Sequence, residues 1–215
     1  MPDLHTLALF AGASAALVAV PGPAVLYIVS RGIAHGRRGG LLSMLGIESG
    51  NFIQVVAATA GLAAIIASSA IAFSAIRYAG AAYLIFLGLS SLFGRASGDE
   101  LARVETPARS GRRLYWQGFV VGVLNPKLAL FLLAFLPQFI DPDAGAVWLQ
   151  TLVLGTLFVV IAAIGDTLFA LLAGTAGERF RARLAAGGSL RRVSGGILVA
   201  LGVWAALAEG DAAGD

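Results

Sequence analysis

The chain contains no cysteine, only two histidines and few charged side chains. The absence of cysteine excludes disulfide bonds, thiolate metal sites and a cysteine nucleophile. Charged residues make up 13% of the 215 residues, about half the share that is typical of soluble domains. The net charge of +3 and the pI of about 9.8 therefore come from a small number of side chains. Their positions in the sequence indicate which partner the positive charge faces.

Apolar residues are abundant instead. They form 58% of the sequence, and the mean hydropathy is +0.86. This composition predicts an all-α polytopic membrane protein whose apolar surface is mostly covered by lipid. Residues 1–20 resemble a signal peptide in their small side chains, but they include Asp3 and no Lys or Arg. A retained first span is therefore the better interpretation.

Six apolar stretches are long enough to cross a bilayer, which takes about 20 residues. They cover residues 4–29, 41–68, 71–94, 115–139, 145–175 and 193–209. The second and third stretches are separated by only a short segment. Since together they are too long for a single crossing, we interpret them as a tight helical hairpin.

The basic residues are concentrated in alternate loops. Thirteen of the fifteen follow the first, third and fifth spans: Arg31, Arg37, Arg38, Arg95, Arg103, Arg109, Arg112, Arg113, Arg179, Arg181, Arg183, Arg191 and Arg192. The opposite side holds Asp3, Asp141, Asp143, Glu209, Asp211 and Asp215. Because loops rich in Lys and Arg face the cytoplasm, both termini are predicted on the outer side. Basic loops that face anionic lipid explain the pI without nucleic acid as a partner.

The segment 95–113 is the one long polar loop, and it divides a single transmembrane domain, 1–215, into two halves. Residues 1–94 and 114–215 each contain three predicted spans. An odd number of crossings makes the second half enter the membrane in the opposite direction, which predicts two inverted three-helix repeats. Pro23 in span one and Pro126 in span four occupy comparable places in the two halves.

Four charged residues lie within predicted spans: Glu48, Arg77, Lys127 and Asp166. Each costs about 2.5–3.5 kcal/mol at the membrane centre and is therefore expected to face protein or water. Arg77 lies near the outer end of its span, where its stem can reach the interface. The helical rise of 1.5 Å per residue places the other three at or just inside the midplane. Asn51, three residues beyond Glu48, shares its helix face.

Two proline-containing segments interrupt apolar spans at the same depth. Pro21, Gly22 and Pro23 break span one, and Asn125-Pro126-Lys127 breaks span four. A break frees backbone groups, which is tolerated at membrane depth only in a cavity or inside protein. A half-helix that starts at such a break points its positive end at the cavity. The two breaks are therefore predicted to bind the charged ends of a small zwitterion; simple proline kinks are the alternative.

Two interpretations of the buried carboxyl groups remain open from the residues alone. In one, Glu48 and Asp166 form a structural pair with Lys127. In the other, a carboxylate alternately holds a proton or a substrate ammonium group, because a buried carboxyl readily takes up a proton. Glycine pairs at i and i+4, Gly46/Gly50 and Gly118/Gly122, predict close helix packing in either case.

The chain resembles the lysine exporter/homoserine-threonine exporter (LysE/RhtB) family. The resemblance covers nearly the whole chain and lies in "PGP" followed by "SRGIAHGRRGGL", in "LGIESGN", in "RYAGAAYLIFLGLSSL", in "GFVVGVLNPKLALFLLAFLPQFI" and in "SLRRVSGGILVALGV". It implies an exporter of amino acids or related small metabolites in the bacterial inner membrane, driven by the proton gradient and needing no cofactor. A homodimer is left open.

The resemblance also implies site residues. Carried over by position, the residues that line or shape the path are Pro21, Gly22, Pro23, Asn125, Pro126 and Asp166. Glu48 departs from the family pattern, in which a small or apolar residue is more usual, and implies a preference for a cationic or hydroxylated substrate. Asn51 stands where many relatives resemble Asp or Asn, and "NPK" resembles the branch for neutral amino acids.

Two other classes of protein fit the sequence less well. The first is an intramembrane enzyme, but the predicted spans lack the catalytic groups of an intramembrane protease. His5 and His35 lie outside the membrane core, and Asp166 is the only aspartate in a span. No histidine cluster suggests a metal site. A channel for small solutes or ions is the stronger alternative, but its pore would show rings of repeated polar residues rather than single groups.

Overall fold

The structure is a computed structural model, and it describes residues 2–68 and 110–186 together with isolated positions between 78 and 93 and between 192 and 203. Five α-helices are present in these ranges: α1 (Leu4–Ala19), α2 (Pro23–Ser68), α3 (Gly111–Val123), α4 (Pro126–Ala134) and α5 (Val147–Ala186). Two 3-10 turns, Leu136–Phe139 and Pro142–Ala144, connect α4 to α5. The described ranges contain no strand, so the predicted all-α class is confirmed for them.

Several predictions fall outside the described residues. The third and sixth spans, 71–94 and 193–209, are described only at isolated positions, and Arg77 and most of the loop 95–113 are not described. The predicted arrangement of six helices in two inverted repeats is therefore tested only in part.

Helix α1 begins and ends where the sequence supplies the appropriate groups. The Asp3 carboxylate accepts a 2.7 Å hydrogen bond from the backbone N–H of Thr6 and caps the first turn. Hydrogen bonding from Thr6 also lowers the pKa of the exposed Asp3 carboxyl below its ordinary value. The helix ends at Ala19 because Val20 is extended, with φ −82° and ψ 108°, and the next residue is Pro21. We call residues 20–22 the first break.

Helix α2 consists of two arms that reverse direction at Gly36. This glycine has φ 67° and ψ −172°, a conformation that other residues rarely adopt. Pro23 and Asn51 line the same cavity, although a straight helix would hold them about 42 Å apart. We call residues 23–35 the first arm and 37–68 the second arm.

The reversal is shorter than the sequence predicted. The predicted spans left residues 30–40 as a loop, whereas the structure keeps them helical except at Gly36. Arginine is a good helix former, so the helix continues beyond the point where the apolar run ends. A single glycine with positive φ is then sufficient to turn the chain.

By length and composition, two helical stretches among the described residues qualify as membrane spans, Pro23–Leu62 and Val147–Gly177, although the first of them folds back at Gly36. The second closely matches the predicted fifth span, and it ends at Gly177, whose φ of 49° interrupts α5. Helix α3 and the Pro126–Phe139 stretch make a third candidate span if they count as one, bent by 41°. Helix α1, with 16 residues, is too short to span alone.

Contacts between neighbouring helices fix their relative directions. Along α5, Gly165 faces Val18 of α1 and Ala173 faces Gly32 of the first arm, so these segments run parallel to α5. The second arm runs antiparallel to α5, because Val55 lies at Gly155 and Gly40 lies at Ala170. Helix α5 therefore packs against both arms of α2 and against α1.

The second arm and α3 run parallel and approach closely through glycines. A Cβ atom at Gly46 would clash with the carbonyl oxygen of Tyr115, and one at Gly50 with that of Phe119. In the other direction, Gly118 and Gly122 lie against the carbonyl oxygens of Ser43 and Ile47. The two glycine pairs noted in the sequence thus pack against one another, as the small-residue spacing predicts.

A cluster of phenylalanines fills the core between α1, α4 and α5. Its members are Phe10, Phe131, Phe135, Phe139 and Phe158, with ring centroids 4.7–6.1 Å apart where they contact. All five are buried. Tilted and edge-on ring pairs of this kind give specific packing beyond simple burial, so the cluster holds α1 and α4 in fixed positions on one side of the two breaks.

Candidate functional site

A small cavity lies between the two broken helices. Its volume is about 40 Å³, which is room for about three water molecules. The polar residues in its wall are Asn51, Asn125, Lys127 and Asp166; Gly22 and Pro23 of the first break also line it, and the rest of the wall is apolar. The structure therefore brings six of the nine predicted site residues to one cavity, which we call the central cavity.

The first break is held by a side chain from the other half of the chain. The Lys127 ammonium group donates hydrogen bonds of 2.7 Å to the Leu17 carbonyl oxygen and 2.6 Å to that of Val20. These carbonyls lie at the end of α1, where backbone acceptors have no partner within the helix and the helix dipole is negative. A Cβ atom at Gly22 would lie 3.2 Å from the Lys127 Cδ, so the glycine leaves room for the lysine stem.

The second break, at Leu124 and Asn125, is held in a related way. The Asn125 side chain accepts a 3.2 Å hydrogen bond from the backbone N–H of Lys127 and caps the start of α4. Gln54 of the second arm donates from Nε2 to the carbonyl oxygens of Gly122, Val123 and Asn125, at 2.7, 3.0 and 3.2 Å. Each break is thus capped by a side chain from the opposite half.

Gln54 was not among the predicted site residues. The available signal was an uncharged polar side chain in an apolar helix at the depth of a predicted break. A side chain of that kind is tolerated in a membrane where it satisfies backbone groups that a break has freed.

Two carboxyl groups meet beside the central cavity. Glu48 and Asp166 are 7% and 5% exposed, and their carboxyl groups lie next to each other. Two adjacent buried carboxyl groups repel each other when both are charged, which favours a proton on one of them. Asn51 donates from Nδ2 to the Glu48 Oε2 at 3.2 Å. Asp166 lines the central cavity, whereas Glu48 does not.

Lys127 does not complete a structural ion pair with these carboxyl groups. Its ammonium group bonds to the backbone at the first break, and Asp166 influences it only as a nearby charge. Of the other predicted residues, Pro21 and Pro126 do not line the cavity. Pro126 occupies the first position of α4, where the missing N–H of proline costs nothing. Pro23 does the same for α2.

No group of three or more His, Asp or Glu residues suited to a metal ion occurs within the described part of the chain. The site instead consists of two interrupted helices, their capping side chains and a carboxyl pair, all inside an apolar bundle. Interrupted helices whose ends meet at a cavity inside an apolar bundle are typical of one class of protein, the helical membrane translocators.

The chain belongs to the LysE type translocator family, whose model matches residues 15–209. It is 31% identical over 168 residues to an uncharacterized membrane protein of Bacillus subtilis, covering 75% of this chain and 80% of the relative. It is 31% identical to the leucine efflux protein of Salmonella typhimurium, covering 67% and 68%. It is 35% identical to the homoserine/homoserine lactone efflux protein of Salmonella typhi, covering 71% and 73%. No solved structure gave a significant match.

Proposed function

We propose that this protein exports amino acids, or related small zwitterionic metabolites, across the bacterial cytoplasmic membrane as a proton-coupled antiporter. Membership of the translocator family and the efflux activity named for its relatives support export. The observation that carries the mechanism is the central cavity, where Asp166 and Lys127 lie between two broken helices.

The substrate binds between the breaks, with its ammonium group at Asp166 and its carboxylate at Lys127. In the state described here the cavity is too small for an amino acid, and the Lys127 ammonium group is taken up by the end of α1. Binding therefore requires the breaks to separate and Lys127 to exchange backbone carbonyls for the substrate carboxylate. The described conformation is therefore a closed one.

Proton coupling resides in the Glu48–Asp166 pair. Because the two carboxyl groups are adjacent and buried, they share one proton before substrate binds. When that proton leaves to the cytoplasm, the Asp166 carboxylate becomes able to bind a substrate ammonium group. On the outer side a proton returns to the pair and displaces the substrate, so one proton enters for each substrate that leaves.

The helix directions support the six-span topology with two inverted repeats. The second arm and α3 run parallel, so the connection between them has to return across the membrane, as a third span within 71–94 would. The two breaks, each followed by a helix that starts at proline, occupy corresponding positions in the two halves. With the basic loops in the cytoplasm, both termini lie outside.

A channel is the second candidate and is distinguished by flux. We expect purified protein in liposomes to exchange internal for external amino acid, with a rate that saturates as substrate rises. A channel gives flux that neither saturates nor shows counterflow. An export and resistance panel over amino acids, in cells that overexpress the chain, identifies the substrate to use.

A further inference from the structure

A second, larger concavity lies on the side of the bundle, between the first arm of α2 and α3. We call it the side groove. Its volume is about 550 Å³, and none of its residues belongs to the central cavity. Its lining residues are Tyr27, Arg31, Arg113, Trp116, Gln117, Val120 and Val121. The substrate path proposed above does not use it.

Arg31 is the unusual residue in this groove. It is only 5% exposed, yet Nε and Nη1 of its guanidinium group have no hydrogen-bond partner among the described residues. The group stacks on the Tyr27 ring at 4.9 Å from the centroid, and the Tyr27 hydroxyl donates to Gln117 Oε1 at 3.3 Å. Because a buried cation without a partner is costly, a fixed guanidinium group in an open groove indicates a site for an anion.

The surroundings of the groove indicate what carries that anion. Arg113, at the start of α3, adds a second positive charge that is exposed. On the same helix Trp116 is 51% and Val120 52% exposed, so the groove opens sideways along an apolar face. Tryptophan at such a position is typical of the membrane interface. A ligand here meets positive charge at the cytoplasmic end and an apolar surface beyond it.

We propose that the side groove binds the headgroup of an anionic phospholipid of the inner leaflet. The phosphate lies between Arg31 and Arg113, and the acyl chains lie along Trp116 and Val120. Basic pockets between transmembrane helices on the cytoplasmic side suit such headgroups, and the guanidinium fork matches phosphate geometry. A soluble anion would share the charge contacts but would leave the apolar face of α3 unused.

The test compares lipid binding in three variants of the full chain, purified in a neutral detergent. Arg31→Gln removes the buried charge, Arg113→Gln removes the exposed one, and Arg112→Gln is the matched control, since Arg112 is adjacent and exposed but lies outside the groove. Binding of phosphatidylglycerol, phosphatidylcholine and inorganic phosphate is followed by native mass spectrometry and by the shift in thermal unfolding.

We expect phosphatidylglycerol to bind and stabilise the wild type, and phosphatidylcholine to do neither. Arg31→Gln should weaken phosphatidylglycerol binding about tenfold or more, and Arg113→Gln roughly fivefold. Arg112→Gln should bind as the wild type does. If Arg31→Gln does not fold, the comparison of Arg113→Gln with Arg112→Gln still shows whether phosphatidylglycerol binding depends on the side groove.

Three results would overturn the proposal. The first is an equal loss in Arg112→Gln, which indicates general charge attraction. The second is equal protection by inorganic phosphate, which indicates a soluble anion. The third is equal binding of phosphatidylcholine, which indicates an apolar surface that does not recognise the charge of the headgroup. None of these results depends on whether the protein exports amino acids.

Discussion

At the scale of single residues, Lys127 and Gln54 share a role that their chemistry alone does not suggest. Both donate hydrogen bonds to carbonyl groups at the end of a broken helix. In hydrocarbon no water is present to satisfy those groups, so each break depends on a donor from another helix. Lys127 adds a positive charge, which links the stability of the first break to the charge of whatever enters the central cavity.

Removing either donor should destabilise the fold. We expect Lys127→Met and Gln54→Leu to lower the free energy of unfolding by about 1–3 kcal/mol for each buried carbonyl left unpaired. Thermal unfolding of the purified protein in detergent measures the effect. Thr59→Val is the control, since the Thr59 hydroxyl bonds only to the Val55 carbonyl of its own helix. Loss of the same size in Thr59→Val would contradict the capping role.

Part of the site could be predicted from the sequence, because it depends on residues that are close together in the chain. Asn51 bonds to Glu48 as three-residue spacing in a helix predicts, and Pro23 and Pro126 start helices, where proline is well tolerated. The partners of Lys127 were not readable, because its ammonium group reaches carbonyls 107 and 110 residues away in sequence. Such contacts depend on tertiary packing, which spacing does not encode.

At the scale of helices, the closest packing is the parallel pair formed by the second arm and α3. The glycines at this interface bring backbone against backbone, so neighbouring atoms cannot move aside as a flexible side chain could. Gln54, on this same arm, caps the second break. The position of the second arm along α3 therefore also sets the position of this cap. Small-residue spacing predicted the contact, but the helical continuation of α2 on both sides of Gly36 was not predicted.

Substitution in this interface should be costly even for one methyl group. We expect Gly50→Ala to destabilise the protein by about 1–3 kcal/mol, because its Cβ atom would clash with the Phe119 carbonyl oxygen. Gly61→Ala on the same helix is the control, since a Cβ atom there meets nothing within 4 Å. The control should be neutral or slightly stabilising. Equal unfolding temperatures for the two variants would argue against the glycine interface.

At the scale of the whole molecule, the account joins two halves that cap each other across a central cavity. The helix directions around that cavity agree with alternate crossings of the membrane. The placement of the basic residues in alternate loops predicts that one face of the molecule is cytoplasmic. Composition and charge were enough to predict the class of protein, and the orientation stays a prediction. The small size of the cavity follows only from the packing of side chains.

The natural absence of cysteine makes the orientation easy to test. We expect a single cysteine introduced at Asp143 to react with an impermeant maleimide in intact cells. A single cysteine at Ala34 should react only after the cells are permeabilised. Both positions are exposed, so accessibility depends on the side of the membrane. The opposite pattern would reverse the predicted orientation of the whole chain.

The central claim is that the Glu48–Asp166 pair couples protons to substrate movement between the two breaks. The most direct measurement is amino-acid flux into or out of liposomes under an imposed pH gradient, with wild type, Asp166→Asn and the exposed control Asp143→Asn. The account predicts gradient-driven flux for wild type and Asp143→Asn. It predicts loss of that flux in Asp166→Asn, although the variant remains folded and inserted. Gradient-driven flux at the wild-type rate in Asp166→Asn would contradict it.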